Sequence, residues 1–122
     1  MANRVYSLQN DINMGNLTNG NNFFKIFHQN IRGLKSKVDE FLNSLFPDYP
    51  SIICLTEHHL REYEIDNLPI DQFKLGSKFC RHNLKNGGTC IFVHEDLDFY
   101  PISLDKYCQE KGIEVCAVKL LL

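Results

Sequence analysis

The sequence predicts an α/β fold that opens with a βαβ unit and continues as mostly antiparallel strands. Two observations carry this reading. Strand-like, helix-like and strand-like patterns follow one another within residues 23–57, and such a unit joins parallel strands through a right-handed crossover. Beyond residue 70, apolar residues alternate on either side of Asn86-Gly87-Gly88, the pattern of an antiparallel hairpin.

The first strand is expected over Phe23–Ile31, a run of aromatic and branched residues that stops at Arg32-Gly33. From Lys35 to Phe46, the residues Val38, Phe41, Leu42, Leu45 and Phe46 fall on one helical face. Ser36 followed by Asp39 resembles a capping box, and Pro47 and Pro50 stop the helix. The next strand is Ser51–Glu57, whose unbroken apolar stretch Ile52-Ile53-Cys54-Leu55 suits a strand covered on both faces. Phe73–Phe79 and Thr89–Val93 are the two arms of the hairpin. Further strands are expected at Phe99–Ser103 and Ile113–Leu120, separated by the polar stretch Asp105–Gly112. The last apolar run, Ile113–Leu122, carries no turn, cap or closing charge, so an uncovered edge and a missing partner layer are expected there. Residues 1–22 hold seven asparagines and a single aromatic, Tyr6. They are expected to form a flexible tail, which leaves 23–122 as the folded unit.

Composition narrows the classes of function. With 43% hydrophobic and 23% charged residues the chain is of ordinary globular type. A net charge of −2 means that any nucleic-acid contact must come from a local basic patch rather than from the whole chain. No apolar run is long enough to cross a bilayer and the N-terminus lacks the apolar core of an export signal, so an intracellular location, cytoplasmic or nuclear, is expected with no membrane partner. Five cysteines, odd in number and without a C-x-x-C pair, point to reduced, mostly buried thiols. In that setting the Asn16-Leu17-Thr18 sequon is incidental.

Ligands of open α/β sheets collect at the carboxyl ends of parallel strands. Asn30 closes the first strand and Glu57 the second. A carboxylate beside a carboxamide can hold a hard cation such as Mg²⁺ together with a substrate oxygen, since Mg²⁺ takes oxygen ligands and often only one or two protein carboxylates. The alternative is that both simply terminate strands. Arg32, Lys35 and Lys37 cluster at the start of the helix, where cations oppose the helix dipole. Plain solvation explains them first, and an anionic partner is the alternative. Gly87-Gly88 fits a hairpin turn better than a phosphate loop, and Arg81 and His82 beside it are further candidates for phosphate contact. His58-His59 follow Glu57 directly, and on extended chain adjacent residues point to opposite sides, so they do not form a metal pair. No zinc spacing, P-loop, nucleophile elbow or dinucleotide fingerprint is present.

Taken in order, Phe27-His28-Gln29-Asn30-Ile31-Arg32-Gly33-Leu34, Ile52-Ile53-Cys54-Leu55-Thr56-Glu57, and Arg81 with Gly87-Gly88-Thr89-Cys90-Ile91-Phe92-Val93 resemble the N-terminal half of the endonuclease/exonuclease/phosphatase superfamily. Within it the chain is most similar to the apurinic-type endonuclease domains of non-LTR retrotransposons, over roughly Phe24–Leu120. The resemblance implies a partial two-layer β-sandwich flanked by helices and a Mg²⁺-dependent site that cleaves DNA phosphodiesters, nicking one target strand so that its 3′ hydroxyl primes reverse transcription. Carried over by position, Glu57 matches the metal-ligand glutamate and Asn30 the catalytic-centre asparagine. Arg32 stands where cellular abasic-site endonucleases carry an acidic residue, which favours the retroelement branch. The tyrosine, Asp-x-Asn pair, further Asp and Ser-Asp-His that complete the superfamily's site belong to the second half of its domain, past the stretch that the resemblance covers. The chain alone is therefore expected to bind Mg²⁺ weakly and not to cleave DNA, its natural partner being the missing C-terminal half of the domain or another strand at its edge. Two alternatives share the fold: a non-catalytic module that binds through its last strand, and a phosphodiesterase acting on RNA, a phosphoinositide or sphingomyelin.

Overall fold

The structure, a computed structural model, describes residues 3–9 and 23–122. It is α/β, with one mixed sheet, one small antiparallel sheet and few helices. Strand β2 (Phe23–Asn30) is followed by a 3₁₀ turn (Lys35–Lys37), helix α1 (Val38–Leu45) and strand β3 (Ile52–Thr56). Then come helix α2 (Glu62–Asp66), strands β4 (Phe73–Phe79) and β5 (Thr89–His94), strand β6 (Asp98–Ile102), a second 3₁₀ turn (Asp105–Tyr107) and strand β7 (Ala117–Leu121). The large sheet runs β2-β3-β5-β4, with β1 (Asn3–Gln9) added antiparallel on the β2 side.

β2 and β3 pair in parallel with Phe27 opposite Ile53 and Asn30 opposite Thr56, the geometry a crossover through α1 requires. β5 then pairs antiparallel with both β3 and β4. This places the apolar β3 at the centre of the described strands, where both its edges are hydrogen-bonded and both its faces are covered.

Two cores lie on opposite sides of the sheet. On one, Phe27, Ile53, Leu55 and Phe92 pack with Phe41 of α1 and Ile65 of α2, and the Phe27 and Phe41 rings meet at 5.5 Å and 60°. On the other, Phe24, Ile52, Val93 and Leu97 pack against Phe99, Val118 and Leu120 of the β6–β7 sheet. Gly76 permits this second contact, because a Cβ there would lie 2.9 Å from both Val118 and Val93 side chains. Ser77 completes it, accepting from the Ala117 amide at 3.3 Å and donating to the Ile102 carbonyl at 3.4 Å. The outer face of the small sheet exposes Tyr100, Ile102 and Leu121.

Four expectations change. The helix expected from Lys35 begins as a 3₁₀ turn, and its α-helical part starts at Val38 without a side-chain cap, so Ser36 and Asp39 form no capping box. α2 is a short helix that no periodicity announces. Ile113 pairs only as an isolated bridge with Gln109, and the last strand starts at Ala117. Of the tail expected over 1–22, Asn3–Gln9 is strand β1, paired with β2 from Asn3 opposite Gln29 to Gln9 opposite Phe23, because an unpaired β2 edge offers main-chain partners to any extended segment. The rest of that expectation lies outside the described residues. The five cysteines are free thiols, Cys80 and Cys90 buried and the others half-buried.

Candidate functional site

Parallel pairing brings the ends of β2 and β3 to one edge, with Asn30 opposite Thr56 and Glu57 next in sequence. The two outgoing loops stay joined beyond the strands. Ile31 N–H donates to the Thr56 carbonyl at 3.0 Å, Gly33 N–H to Glu57 at 2.8 Å and Leu34 N–H to His58 at 3.0 Å. Arg32, Glu57 and His59 hold left-handed backbone with φ of 49°, 54° and 63°. Each such non-glycine conformation costs about 1–3 kcal/mol, and clusters of them mark places where surrounding contacts over-determine the backbone.

Asn30 carries the most informative atom of this edge. Its Oδ1 is buried, and among the described residues it is the buried side-chain oxygen or nitrogen left without a hydrogen-bond partner. An acceptor in that state forgoes about 1–3 kcal/mol, so it stands ready for a donor. Glu57 is half-buried, and among the described residues its carboxylate enters no ion pair. One carboxylate and one amide oxygen are donor types that a hard cation takes, and the parallel pairing puts Asn30 and the residue before Glu57 opposite each other at this edge. Among the described residues no three His, Cys, Asp or Glu side chains converge as a metal cluster.

His58 fixes the loop that carries Glu57. The ring is fully buried, accepts from Leu60 N–H at Nδ1 (2.9 Å) and lies 3.0 Å from the Phe79 carbonyl at Nε2. Nε2 therefore bears the proton and donates. Burial pushes its pKa below the usual histidine range, keeping the ring neutral. A Cβ on Gly88 would sit 2.4 Å from His58 Cε1, so only glycine leaves space for the ring. The Gly87 and Gly88 carbonyls accept from His59 N–H at 2.9 Å and His58 N–H at 3.4 Å. The Gly-Gly pair, with φ of 63° and 85°, thus ends the loop between β4 and β5 and forms a wall of the loop after β3. Extended chain at His58-His59 would send the two side chains to opposite faces. The positive φ on either side of His58 breaks that alternation and turns His58 into the core.

The predicted cations are placed differently from one another. Arg32 is exposed beside Asn30. Lys35 is exposed and lies 3.7 Å from Glu64. Lys37 turns back to donate to the carbonyls of Ile31 (2.9 Å) and Arg32 (3.1 Å), which explains its position at the helix start without an anionic partner. Arg81, expected as a phosphate contact, is instead half-buried with Nε donating to Glu114 at 2.7 Å and Nη1 to the Lys85 carbonyl at 2.8 Å. Its charge is satisfied inside the protein. Glu114 also accepts from the amides of Gly88 (2.8 Å) and Lys111 (2.7 Å). Burial alone would raise its pKa, but these donors and the guanidinium outweigh it and hold the carboxyl below its ordinary range. No local spacing marks Glu114, because Arg81 and Gly88 lie 33 and 26 residues away.

No protein-family model matches the sequence.

Proposed function

We propose that this chain supplies the metal-ligand half of a divalent-cation phosphodiesterase site, in the manner of the retrotransposon endonucleases it resembles, with Glu57 holding Mg²⁺ and Asn30 orienting a phosphate or its water. The buried Asn30 Oδ1, left without a partner at the carboxyl edge of two parallel strands from which Glu57 also leaves, is the observation that carries this reading. A second, smaller sheet packed on the face opposite the helices is compatible with the sandwich that the resemblance implies. Arg32 and Lys35 are the cations open to a DNA phosphate; Arg81 is assigned a structural role.

One carboxylate and one amide do not by themselves supply an oriented water, a base and full stabilisation of the developing charge. The chain alone therefore binds the cation feebly and leaves DNA intact. Mn²⁺ as a paramagnetic substitute tests the site directly: amide signals around Asn30 and Thr56–His58 broaden selectively in the wild type and not in Glu57→Ala. Uniform broadening, or none at this edge, refutes the metal assignment. Nicking of supercoiled plasmid by the isolated chain, abolished in Glu57→Ala, refutes its inactivity.

A further inference from the structure

Two carboxylates, Glu110 and Glu114, tie segment 105–116 to the β4–β5 loop, and they differ in kind. Glu114 is part of the half-buried ion pair with Arg81. Glu110 accepts from three successive main-chain amides, His82 (3.3 Å), Asn83 (3.2 Å) and Leu84 (2.7 Å), and from Asn83 Nδ2 (3.3 Å). Among the described residues no cation pairs with Glu110. Successive N–H groups converging on one point make a concave anion receptor. The Leu84 amide first, and then its neighbours, hold the Glu110 carboxyl below its ordinary range. Only the Leu84 bond is short, however. The others, at 3.2–3.3 Å, sit at or just past the long end of the usual range, so the carboxylate is held firmly at one oxygen and loosely at the other.

The receptor and Glu110 line a cleft of about 500 Å³ together with Phe79, Glu62 and Asp105. Asn30 and Glu57 do not line it. Because Glu114 joins the two segments independently, Glu110 can leave the receptor without parting them.

We propose that the His82–Leu84 loop is a binding site for a single phosphate monoester group, held closed in this structure by the chain's own Glu110, which an entering ligand displaces. Glu62 and Asp105 face the same cleft and oppose any anion there, and they oppose least a phosphate whose charge is offset by a cationic group on the same ligand, as in phosphoethanolamine. A polyanion is disfavoured. Glu110 acts as a tethered competitor at an effective concentration of millimolar order, so the wild type binds weakly and loss of the carboxylate tightens binding.

The experiment follows backbone amide shifts during titration of the whole chain with phosphoethanolamine, inorganic phosphate and pyrophosphate, in wild type, Glu110→Ala and Glu110→Gln. Expected are shifts centred on His82, Asn83 and Leu84, with affinity at least about tenfold higher in Glu110→Ala than in wild type, as release from an intramolecular competitor requires. Phosphoethanolamine binds at least as well as inorganic phosphate, and pyrophosphate binds least. Should Glu110→Ala lose the loop signals altogether, Glu110→Gln, which keeps the shape without the charge, carries the same comparison. Equal affinity in wild type and variant, shifts centred elsewhere, or tightest binding of pyrophosphate overturns the proposal. None of these readouts involves Asn30 or Glu57, so the outcome is independent of the phosphodiesterase reading.

Discussion

Replacing Gly88 by alanine tests whether the loop behind Glu57 is held by the buried histidine. Gly88 has φ of +85°, and an added Cβ would lie 2.4 and 2.5 Å from His58 Cε1 and Nε2 and 2.9 Å from the Phe79 carbonyl. The left-handed backbone costs an alanine about 1 kcal/mol. The ring cannot step aside freely, because it is fully buried and bound at both nitrogens. Moving it breaks the bond to Phe79 or to Leu60, leaving a buried polar group unpaired at about 1–3 kcal/mol, with overpacking of similar size. These terms overlap, and together they amount to about 3 kcal/mol, a large share of the ~5–15 kcal/mol that holds a typical domain. At roughly 5 °C per kcal/mol for a chain of this size, Tm falls by about 15 °C. Gly112→Ala is the control: the nearest neighbours there belong to the flexible Gln109 side chain, at 3.3 Å and beyond, and the change stays within about 0.5 kcal/mol. Urea melts of both variants give the comparison. If Gly88→Ala melts with Gly112→Ala, the packing of Gly88 on His58 is not what fixes this loop.

Asn30→Leu removes the orphaned buried oxygen and stabilises the ligand-free chain by on the order of 1 kcal/mol, measured by chemical denaturation; a loss of stability instead shows that Asn30 is a structural residue. Glu114 titrates below its ordinary 4.5 when folded. Its contribution to stability is therefore present above about pH 4.5 and lost as pH falls through the lower folded value, and Glu114→Gln flattens that acid limb of the stability profile. Burial pushes the Cys80 thiol up to about 12 and Cys116 to about 11, and Cys90 well above its ordinary range. At pH 8 these three react with a thiol reagent only as the protein unfolds, and mass mapping of a brief native pulse finds them unlabelled.

The legible part of the fold was the part written in periodicity. Ile52–Leu55 and the amphipathic stretch around Phe41 announced the parallel β2–α1–β3 unit, and the alternation around Asn86-Gly87-Gly88 announced the β4–β5 hairpin. α2 was invisible because Glu62–Asp66 is too short to show a helical period, and it is secured by Glu64 reaching back to the Arg61 amide at 3.0 Å. β1 was hidden by the asparagine-rich composition around it. At the candidate site, strand ends located Asn30 and Glu57. The roles of His58, Arg81, Glu110 and Glu114 depend on contacts between segments distant in sequence, and no local spacing encodes those.

The central position of β3 bears on how the chain is made. Its parallel neighbour β2 precedes it, but its antiparallel neighbour β5 begins only at Thr89. During synthesis, one flank of the apolar segment Ile52–Leu55 therefore waits with open main-chain groups until the intervening residues have emerged and closed, the kind of segment prone to intermolecular pairing. The hairpin of β4 and β5 closes locally, across residues 80–88, without waiting for any later segment. Substitutions in residues 80–88 that delay its closure lengthen that wait and lower soluble yield in cells, even where the finished protein is as stable as the wild type.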